Sequence, residues 1–349
     1  FGELIATNFH GDASQLTNAA DGTNVVSSSA QLATDISGSF DSGFEFTGTI
    51  GVRQGVWSAG GALITRKINA VGFGLKNAAL SLGGTSPTQQ CTEHYNGSSW
   101  SSGGTPANGC YGRAGDGTEY AGIVFGGYHP APNSSATEEY YGETFAAGGA
   151  LSTGRGYLGA AGTQNAAIAF GGFAPSVSDV TEEYNGTSWS SGGSMINTRG
   201  KTEGAGAQNA GLAVGGYNPT NLSATEHYDG SAWSAGGAMN TARKSLSVTG
   251  VENNALRAGG TPGTHTEVEH YDGSAWSVGG SLNESHQVAG AAAGTRTAGL
   301  YFGGGNPAVS DQNLCTEEYT SYISSASFGR VDASAIAGSG IGLKNSKPE

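Results

Sequence analysis

Short apolar runs that end in a glycine pair recur along the chain at a nearly constant interval. The second glycine of each pair falls every 43 to 45 residues, at Gly84, Gly127, Gly172, Gly216, Gly260 and Gly304. A polar loop and a short segment ending in tyrosine follow each pair, and a second glycine pair comes later. Self-similarity at such a period indicates a repeat architecture in which each repeat is one supersecondary unit.

Three further positions keep their residue type in nearly every repeat. A glutamate lies two residues before the tyrosine, and an aromatic residue lies five residues after it. The glutamates are Glu93, Glu138, Glu182, Glu226, Glu269 and Glu317; the tyrosines are Tyr95, Tyr140, Tyr184, Tyr228, Tyr271 and Tyr319; the aromatics are Trp100, Phe145, Trp189, Trp233 and Trp276, with Trp57 preceding the first full unit.

Each repeat contains four short extended runs. In the repeat 198–237 they lie around 201–207, at 211–214, from Thr225 to Tyr228 and through Trp233. The Asn-Gly or Asp-Gly pairs at 96–97, 185–186, 229–230 and 272–273 indicate a hairpin between the third and fourth runs, and we assign them to type I′ turns. Four antiparallel strands per repeat predict one propeller blade. The fold class is therefore an all-β, six-bladed propeller.

The repeat resembles the kelch repeat. The Gly-His and Trp-Asp landmarks of WD40 repeats are absent, whereas the apolar run, glycine pair, tyrosine and tryptophan are present from Trp57 to Tyr319. An arginine begins the next first strand in several repeats, at Arg66, Arg155, Arg199 and Arg243. The second repeat departs from the pattern with Phe145 in place of tryptophan, and the last lacks the arginine.

The two ends of the repeat region are offset. The chain enters with an outermost strand at 55–60 and leaves after a third strand at 315–319. We therefore expect one strand from each end to complete the sixth blade, which removes free sheet edges. This divides the chain into a segment 1–54, a propeller 55–319 and a segment 320–349.

The two flanking segments resemble each other. Phe1-Gly2 through Leu16-Thr17-Asn18 aligns without gaps on Phe328-Gly329 through Leu343-Lys344-Asn345. Segments so short must bury their apolar residues against other copies, so we expect a β-rich stalk and a homotrimer. We also expect one short helix at 27–38. Together with the repeats, these segments look like fibrous appendage proteins, such as tail fibres, of tailed and particularly marine bacteriophages. The resemblance implies a trimeric virion protein.

Composition excludes several classes of protein. Glycine makes up 62 of 349 residues, well above the roughly 7 % of ordinary chains, but there is no Gly-X-Y period and aromatics are numerous. The formal net charge of −13 argues against a nucleic-acid partner, which needs a basic surface. No apolar run is long enough to cross a bilayer, so we expect no membrane insertion. The chain begins at Phe1 without a signal peptide, and we expect it to be part of a longer polypeptide.

Aromatic residues and proline recur in the loops between the second and third strands. The candidate ligand-binding residues there are Tyr128, His129, Phe173, Tyr217, Asn218 and Asn306. Rings beside amides on rigid loops suit the recognition of a glycan or a surface receptor. The alternative is that each ring only packs against the next blade.

The remaining chemistry-bearing residues have structural explanations. We expect the repeated glutamates to join blades, with the recurring arginine as partner, because an active site is used once. His94, His227 and His270 share one repeat position, so we predict no shared metal. Three cysteines, Cys91, Cys110 and Cys315, are too few for a disulfide framework or a zinc site. Cys91 and Cys315, at one repeat position in adjacent blades, are predicted to be reduced thiols. No catalytic motif appears, and we predict no cofactor and no enzymatic activity.

The function predicted from the sequence is that of a structural and adhesive subunit of a bacteriophage virion appendage. Its partners would be itself, other virion proteins and a host-surface glycan or protein. Two alternatives stay open. One is a cellular, extracellular adhesin or scaffold that uses the propeller for protein–protein interaction, and the other is a carbohydrate-active propeller enzyme.

Overall fold

The computed structural model describes residues 49–50, 55–85, 90–128, 132–263, 265–286, 288–305, 314–321 and 326–327. Among them there is no α-helix. The described residues therefore contain no helix long and apolar enough to cross a bilayer. The predicted helix at 27–38 and nearly all of the two predicted stalk segments lie outside these residues.

The described part of the chain is built from short strands. In chain order they are β1 (Thr49–Ile50), β2 (Val56–Ala59), β3 (Val71–Leu75), β4 (Ala78–Leu82), β5 (Thr92–Tyr95), β6 (Trp100–Ser102), β7 (Ala114–Thr118), β8 (Ala121–Phe125), β9 (Thr137–Tyr140), β10 (Phe145–Gly148), β11 (Gly159–Thr163), β12 (Ala166–Phe170), β13 (Thr181–Tyr184), β14 (Trp189–Ser191), β15 (Glu203–Ala207), β16 (Ala210–Val214), β17 (Thr225–Tyr228), β18 (Trp233–Ala235), β19 (Ser247–Val251), β20 (Asn254–Ala258), β21 (Val268–Tyr271), β22 (Trp276–Val278), β23 (Val288–Thr295), β24 (Ala298–Gly305), β25 (Thr316–Thr320) and β26 (Ala326–Ser327).

Six four-stranded antiparallel sheets form the blades of a propeller. Blades 1 to 5 take four consecutive strands each, from β3–β6 to β19–β22, and blade 6 has the order β2-β25-β24-β23. The innermost strands β3, β7, β11, β15, β19 and β23 contact one another in sequence, and β23 contacts β3. The all-β, six-bladed propeller is thereby confirmed. The irregular second repeat also forms four strands.

Contacts divide the chain into two units. One is the propeller, Val56–Thr320, and the other contains the two flanking segments. In the second unit, β1 pairs antiparallel with β26, with Thr49 opposite Ser327.

The four strands of a blade differ in composition because their surroundings differ. The second strand is buried on both faces, so β16 is almost entirely apolar, and Leu212 and Val214 are fully buried. The outermost strand presents exposed serines beside one inward tryptophan. The innermost strands are rich in glycine and alanine because six of them converge on the axis. A Cβ on Gly204 would lie 2.2 Å from the Ala160 carbonyl oxygen of the preceding blade.

The assignment of the Asn-Gly and Asp-Gly turns to type I′ is wrong. Gly97 has a φ of +91°, but Asn96 does not adopt a positive φ. The loop has four residues between the paired Tyr95 and Trp100, and the Asn96 side chain accepts hydrogen bonds from the backbone N–H groups of Ser98 and Ser99 at 3.0 and 2.9 Å. The hydrogen bonds of the Asn96 side chain therefore stabilise this four-residue turn, which does not need the second positive φ of a type I′ turn.

Antiparallel order gives the propeller two distinct faces. The turn face carries the hairpins that join the first to the second strand and the third to the fourth strand of a blade. The loop face carries the connections from the second to the third strand and the links between blades. The loops that contain the predicted ligand-binding residues lie on the loop face.

Candidate functional site

A groove on the loop face contains two of the predicted ligand-binding residues. Tyr128 and Phe173 line it together with Tyr111, Tyr157 and Lys201, and its volume is about 820 Å³. The remaining lining residues are Pro132, Asn133, Thr153, Gly154, Ala174 and Pro175, so no acidic side chain among the described residues lines the groove.

The other predicted residues are distributed differently. Tyr217 lies one blade further on, beneath the Lys244 ammonium at 4.2 Å from the ring centroid. The Asn218 side chain donates hydrogen bonds to the backbone oxygen and the hydroxyl of Thr198, so its amide nitrogen is engaged within the protein. His129 and Asn306 lie outside the described residues.

Short backbone pairings fix the aromatic positions. Phe173 donates its N–H to the Gly156 carbonyl at 2.9 Å and accepts one from Gly156 at 3.2 Å. Tyr217 and Gly200 make the same pair, and Tyr128 donates to Tyr111 at 2.6 Å. In each case the residue after the glycine pair bonds to the segment just before an innermost strand. The rings therefore project from backbone that is held by its own hydrogen bonds.

Four aromatic rings form one cluster across blades 2 and 3. The centroid of Tyr128 lies 5.2 Å from that of Tyr111 and 5.8 Å from that of Tyr157. Tyr157 meets Tyr111 and Phe173 edge to face, each at 6.2 Å. All four side chains are partly exposed. Aromatic pairs at these separations stabilise each other, and together the four rings form one aromatic wall of the groove.

Two residues of the groove adopt a strained backbone conformation. Tyr157 has a φ of +54° and Lys201 a φ of +52°, a region that bulky L-residues rarely adopt. The Tyr157 N–H donates to the Gly112 carbonyl at 2.7 Å, and the Lys201 N–H donates to the Tyr157 carbonyl at 2.8 Å. Each strained residue is thus linked to the preceding blade. The same left-handed conformation recurs at the equivalent position of other blades, in Asn69, Gly112 and Ser245, so it belongs to the link between blades throughout the repeat.

Sequence reasoning missed Tyr111, Tyr157, Lys201 and Lys244. A signal for two of them was present, because Tyr157 and Lys201 each lie two residues after a repeated arginine, Arg155 and Arg199. The sequence prediction covers only the loop after the glycine pair. The groove is formed where that loop meets the link between blades.

A second cavity lies on the propeller axis. It has a volume of about 200 Å³ and is lined by the innermost strands, including Asp116 and Glu203. Burial raises the pKa of Glu203 to about 8 and that of Asp116 to about 7. Asp116 accepts hydrogen bonds from the N–H groups of Gly117 and Gly162 at 2.7 and 2.9 Å. This cavity is smaller than the roughly 300 to 1,000 Å³ of typical ligand sites, so the groove is the better candidate.

The repeated glutamates are buried at the blade interfaces. Glu182 accepts the Ser152 N–H at 2.7 Å from the preceding blade-to-blade link, and Arg155 donates to it at 2.9 Å. Every copy has a basic neighbour, although the arginine pattern was only partly right. The pairs are Glu93 with Lys67, Glu138 with Arg113, Glu182 with Arg155, Glu226 with Arg199, Glu269 with Arg257 and Glu317 with His286.

Two of the expected arginine partners require correction. In blade 1 the cation at Glu93 is Lys67 rather than Arg66. In blade 5, Arg243 pairs with Glu267 at 2.8 Å, and Arg257, which is opposite Glu269 in the neighbouring strand, is the partner of Glu269. The equivalent position in blade 4 is Ala213. In blade 5, Arg257 on the adjacent strand therefore takes the place of Arg243, which is paired with Glu267 instead.

The repeated tyrosines link each blade to the one before it. All six are buried, and their hydroxyls contact the residue between glutamate and tyrosine of the preceding blade. Tyr184 donates to Glu139 at 2.6 Å, and Tyr140 lies 2.6 Å from His94 Nε2. The three histidines of this position therefore have separate partners, Tyr140, Tyr271 and Tyr319.

The repeated tryptophans also join neighbouring blades. The indole N–H of Trp189 donates to the Thr137 hydroxyl at 2.9 Å, and Trp100, Trp233 and Trp276 bond to Thr316, Thr181 and Thr225 in the same way. Trp57 donates instead to the Gly280 carbonyl, because the corresponding residue of blade 5 is Val268. The Phe145 ring carries no N–H group. The buried Thr92 hydroxyl at the corresponding position of blade 1 therefore has no hydrogen-bond partner among the described residues.

Three potential metal ligands lie together in blade 6. The ligand atoms of His286, Cys315 and Glu317 are within 4.8 Å of one another, with His286 Nε2 at 3.2 Å from Glu317 Oε1. His286 stands where the other blades have a basic partner for the repeated glutamate. The cluster is therefore the sixth copy of the pair between the repeated glutamate and a side-chain nitrogen, with a cysteine beside it. The three cysteines are not joined by disulfides.

No protein-family model matches the chain. No curated protein matches it either.

Proposed function

We propose that the propeller is a binding module and that the loop-face groove is its ligand site. The observation that carries this proposal is the wall of four partly exposed aromatic rings, Tyr111, Tyr128, Tyr157 and Phe173, around a volume of about 820 Å³. Concave sites with apolar walls and a few polar groups are where proteins bind ligands. A β-propeller also fits a role in interactions, because its rigid strands hold variable loops.

The wider role that we propose is that of a structural and adhesive subunit of a bacteriophage virion appendage. The support is the resemblance of the repeats and flanking segments to such proteins. In this proposal, segments 1–54 and 320–349 assemble three chains, the pairing of β2 with β25 closes the propeller ring, and the groove contacts a host surface without turnover of the ligand.

The rival proposal is a cellular, extracellular adhesin or scaffold that uses the same face to bind a protein. Both proposals place the ligand on the loop face, but they differ in assembly and location. A mass of three chains in solution, together with antibody labelling of an appendage on intact phage particles, supports the virion role. A monomer found on the surface of the producing cell supports the adhesin.

The ligand site is tested by substitution of three loop-face rings. Tyr128→Ala, Phe173→Ala and Tyr217→Ala are compared with the wild type on a glycan array and in adsorption to host cells. Tyr120→Ala is the matched control, because Tyr120 is an exposed aromatic residue (65 %) in a hairpin on the turn face. We expect Tyr128→Ala and Phe173→Ala to weaken binding while Tyr120→Ala does not. Unchanged binding in all three loop-face variants contradicts the proposed site.

A further inference from the structure

The lysines at and beside the groove differ from the other described lysines because they lack a carboxylate partner. The described residues include four lysines. Lys67 lies 3.6 Å from Glu93, and Lys76 lies 3.3 Å from Glu318. Within the described part of the chain, no carboxylate lies within 4.0 Å of the ammonium of Lys201 or Lys244. The unpaired lysines are therefore those at the aromatic surface.

The two unpaired lysines lie side by side in successive blades. Lys201 lies over the Tyr157 ring at 5.1 Å from its centroid, and Lys244 lies over the Tyr217 ring at 4.2 Å. The charge of Lys244 and burial both lower the pKa of Lys201, with burial as the larger cause. The ammonium groups of Lys201 and Lys244 therefore repel each other. An anion bound between them would remove that repulsion.

The backbone holds Lys201 in this position at a cost. Its φ of +52° lies in the left-handed region, and its carbonyl accepts the Ser245 N–H at 3.2 Å. Asparagine or glycine would adopt this conformation more easily. The chain carries a net charge of −13, so a local pair of unneutralised cations is the feature that would attract an anionic ligand.

The same groove is poorly suited to an extended acidic peptide. The backbone N–H groups of Tyr128 and Phe173 are already paired with Tyr111 and Gly156, so these two residues offer an incoming peptide strand no free N–H group. Stacking of a sugar on aromatic side chains needs no backbone groups. The aromatic wall and the paired backbone therefore favour a saccharide.

We infer that the groove binds an acidic polysaccharide, with its sugar rings against the aromatic wall and its carboxylate or sulfate groups at Lys201 of the groove and at Lys244 beside it in the next blade. This inference rests on the proposed function, because it identifies the ligand class of the same site. Tight binding needs both the attraction of anionic groups to the lysines and the contact of sugar rings with the aromatic wall. Neither neutral sugars nor acidic peptides supply both contacts.

The experiment measures binding of the full chain to four polymers of similar length. Dextran and dextran sulfate form a pair that differs only in charge, polygalacturonate supplies carboxylates in place of sulfates, and poly-glutamate supplies charge without sugar rings. The variants are Lys201→Gln, Lys244→Gln and the charge-retaining Lys201→Arg, with Lys76→Gln on the turn face as control. Thermal unfolding of each variant checks that it folds.

We expect a sulfated or carboxylated polysaccharide to bind more tightly than dextran and poly-glutamate, and to weaken as salt is raised. Each Lys→Gln change should cost about tenfold in affinity, as loss of a charge-assisted hydrogen bond does. Lys201→Arg and Lys76→Gln should bind like the wild type.

Different outcomes separate this inference from the proposed function. Equal binding of dextran and dextran sulfate, or Lys201→Gln and Lys244→Gln variants that bind like the wild type, overturns the inference. If Tyr128→Ala still weakens host adsorption, the proposed site survives that result. Tighter binding of poly-glutamate than of both acidic polysaccharides assigns the site to an acidic peptide and also overturns the inference. Unchanged host adsorption by the aromatic variants overturns the site itself.

Discussion

The Tyr140 hydroxyl lies 2.6 Å from Nε2 of His94, which belongs to the preceding blade. The corresponding pair in the next interface is Tyr184 with Glu139, also at 2.6 Å. A tyrosine hydroxyl can donate to either an imidazole nitrogen or a carboxylate. One interface geometry therefore accepts both residue types, and this repeat position holds histidine in blades 1, 4 and 5 and glutamate in blades 2, 3 and 6.

Glu182→Gln should destabilise the propeller without altering ligand binding. Glu182 and Arg155 are both almost fully buried, and loss of one partner leaves an uncompensated charge, which costs about 3 to 5 kcal/mol. Urea unfolding measures the loss. Glu143→Gln, an exposed carboxylate on the turn face, should have little effect. A stable Glu182→Gln variant that binds poorly would instead assign this glutamate to the ligand site.

Phe145→Trp should stabilise blade 2. The indole N–H would meet the buried Thr92 hydroxyl, which lacks a partner among the described residues, and a new hydrogen bond contributes about 1 kcal/mol. Thermal unfolding measures the gain. Thr92→Val provides the check, because it should be neutral or stabilising beside Phe145 and destabilising beside the introduced tryptophan. The same response to Thr92→Val in both backgrounds would contradict the predicted bond.

His270→Gln should reduce the loss of stability in acid. Burial, with the charge of Arg296, lowers the pKa of His270 from 6.5 to about 4. Between these values the unfolded state binds the proton and the folded state does not, so stability falls as pH decreases from about 6.5 to 4, by up to about 3 kcal/mol. Urea midpoints across this range measure it. Identical pH profiles for variant and wild type would contradict the prediction.

Glu203→Gln should stabilise the propeller at alkaline pH. Burial raises the pKa of Glu203 from 4.5 to about 8. The folded state therefore retains a proton that the unfolded state releases, and stability falls as pH rises from about 4.5 to 8. Glutamine cannot ionise, so the variant should be more stable than the wild type at pH 8 and similar to it at pH 4.5. An advantage independent of pH would argue for a packing effect.

Lys201→Asn should raise stability and lower ligand binding together. Asparagine adopts a positive φ more readily than lysine, and relief of the left-handed conformation contributes about 1 kcal/mol. The groove would lose its own unpaired cation and keep only Lys244 in the next blade. Unfolding and binding to dextran sulfate are measured on the same preparation. Lower stability, or higher stability with unchanged binding, would show that the strained backbone does not serve the ligand site.

Much of the fold followed from the sequence because its information is local. The glycine pairs, the Tyr and Trp spacing and the turn residues each define one blade, and their sixfold recurrence predicts the number of blades. The turn type was wrong because the asparagine side chain, and not a second positive φ, satisfies the backbone.

The candidate site was predicted only in part. Tyr128 and Phe173 could be found because they follow glycine pairs in loops. Tyr157 and Lys201 were missed because they join the groove from the link between blades, and nothing local reveals that their φ is positive. The replacement of Arg243 by Arg257 at Glu269 was equally hidden, since it depends on which strands are neighbours.

By itself, the sequence determined the all-β class, the six blades and the loops that carry aromatic rings, because these follow from short-range periodicity. Only the tertiary structure decided which side chains meet between blades: the Tyr with its His or Glu, the tryptophan with its threonine, and Lys201 and Lys244 with the Tyr157 and Tyr217 rings. Most of these contacts join residues about one repeat apart, and burial and backbone hydrogen bonding across the interface fix them.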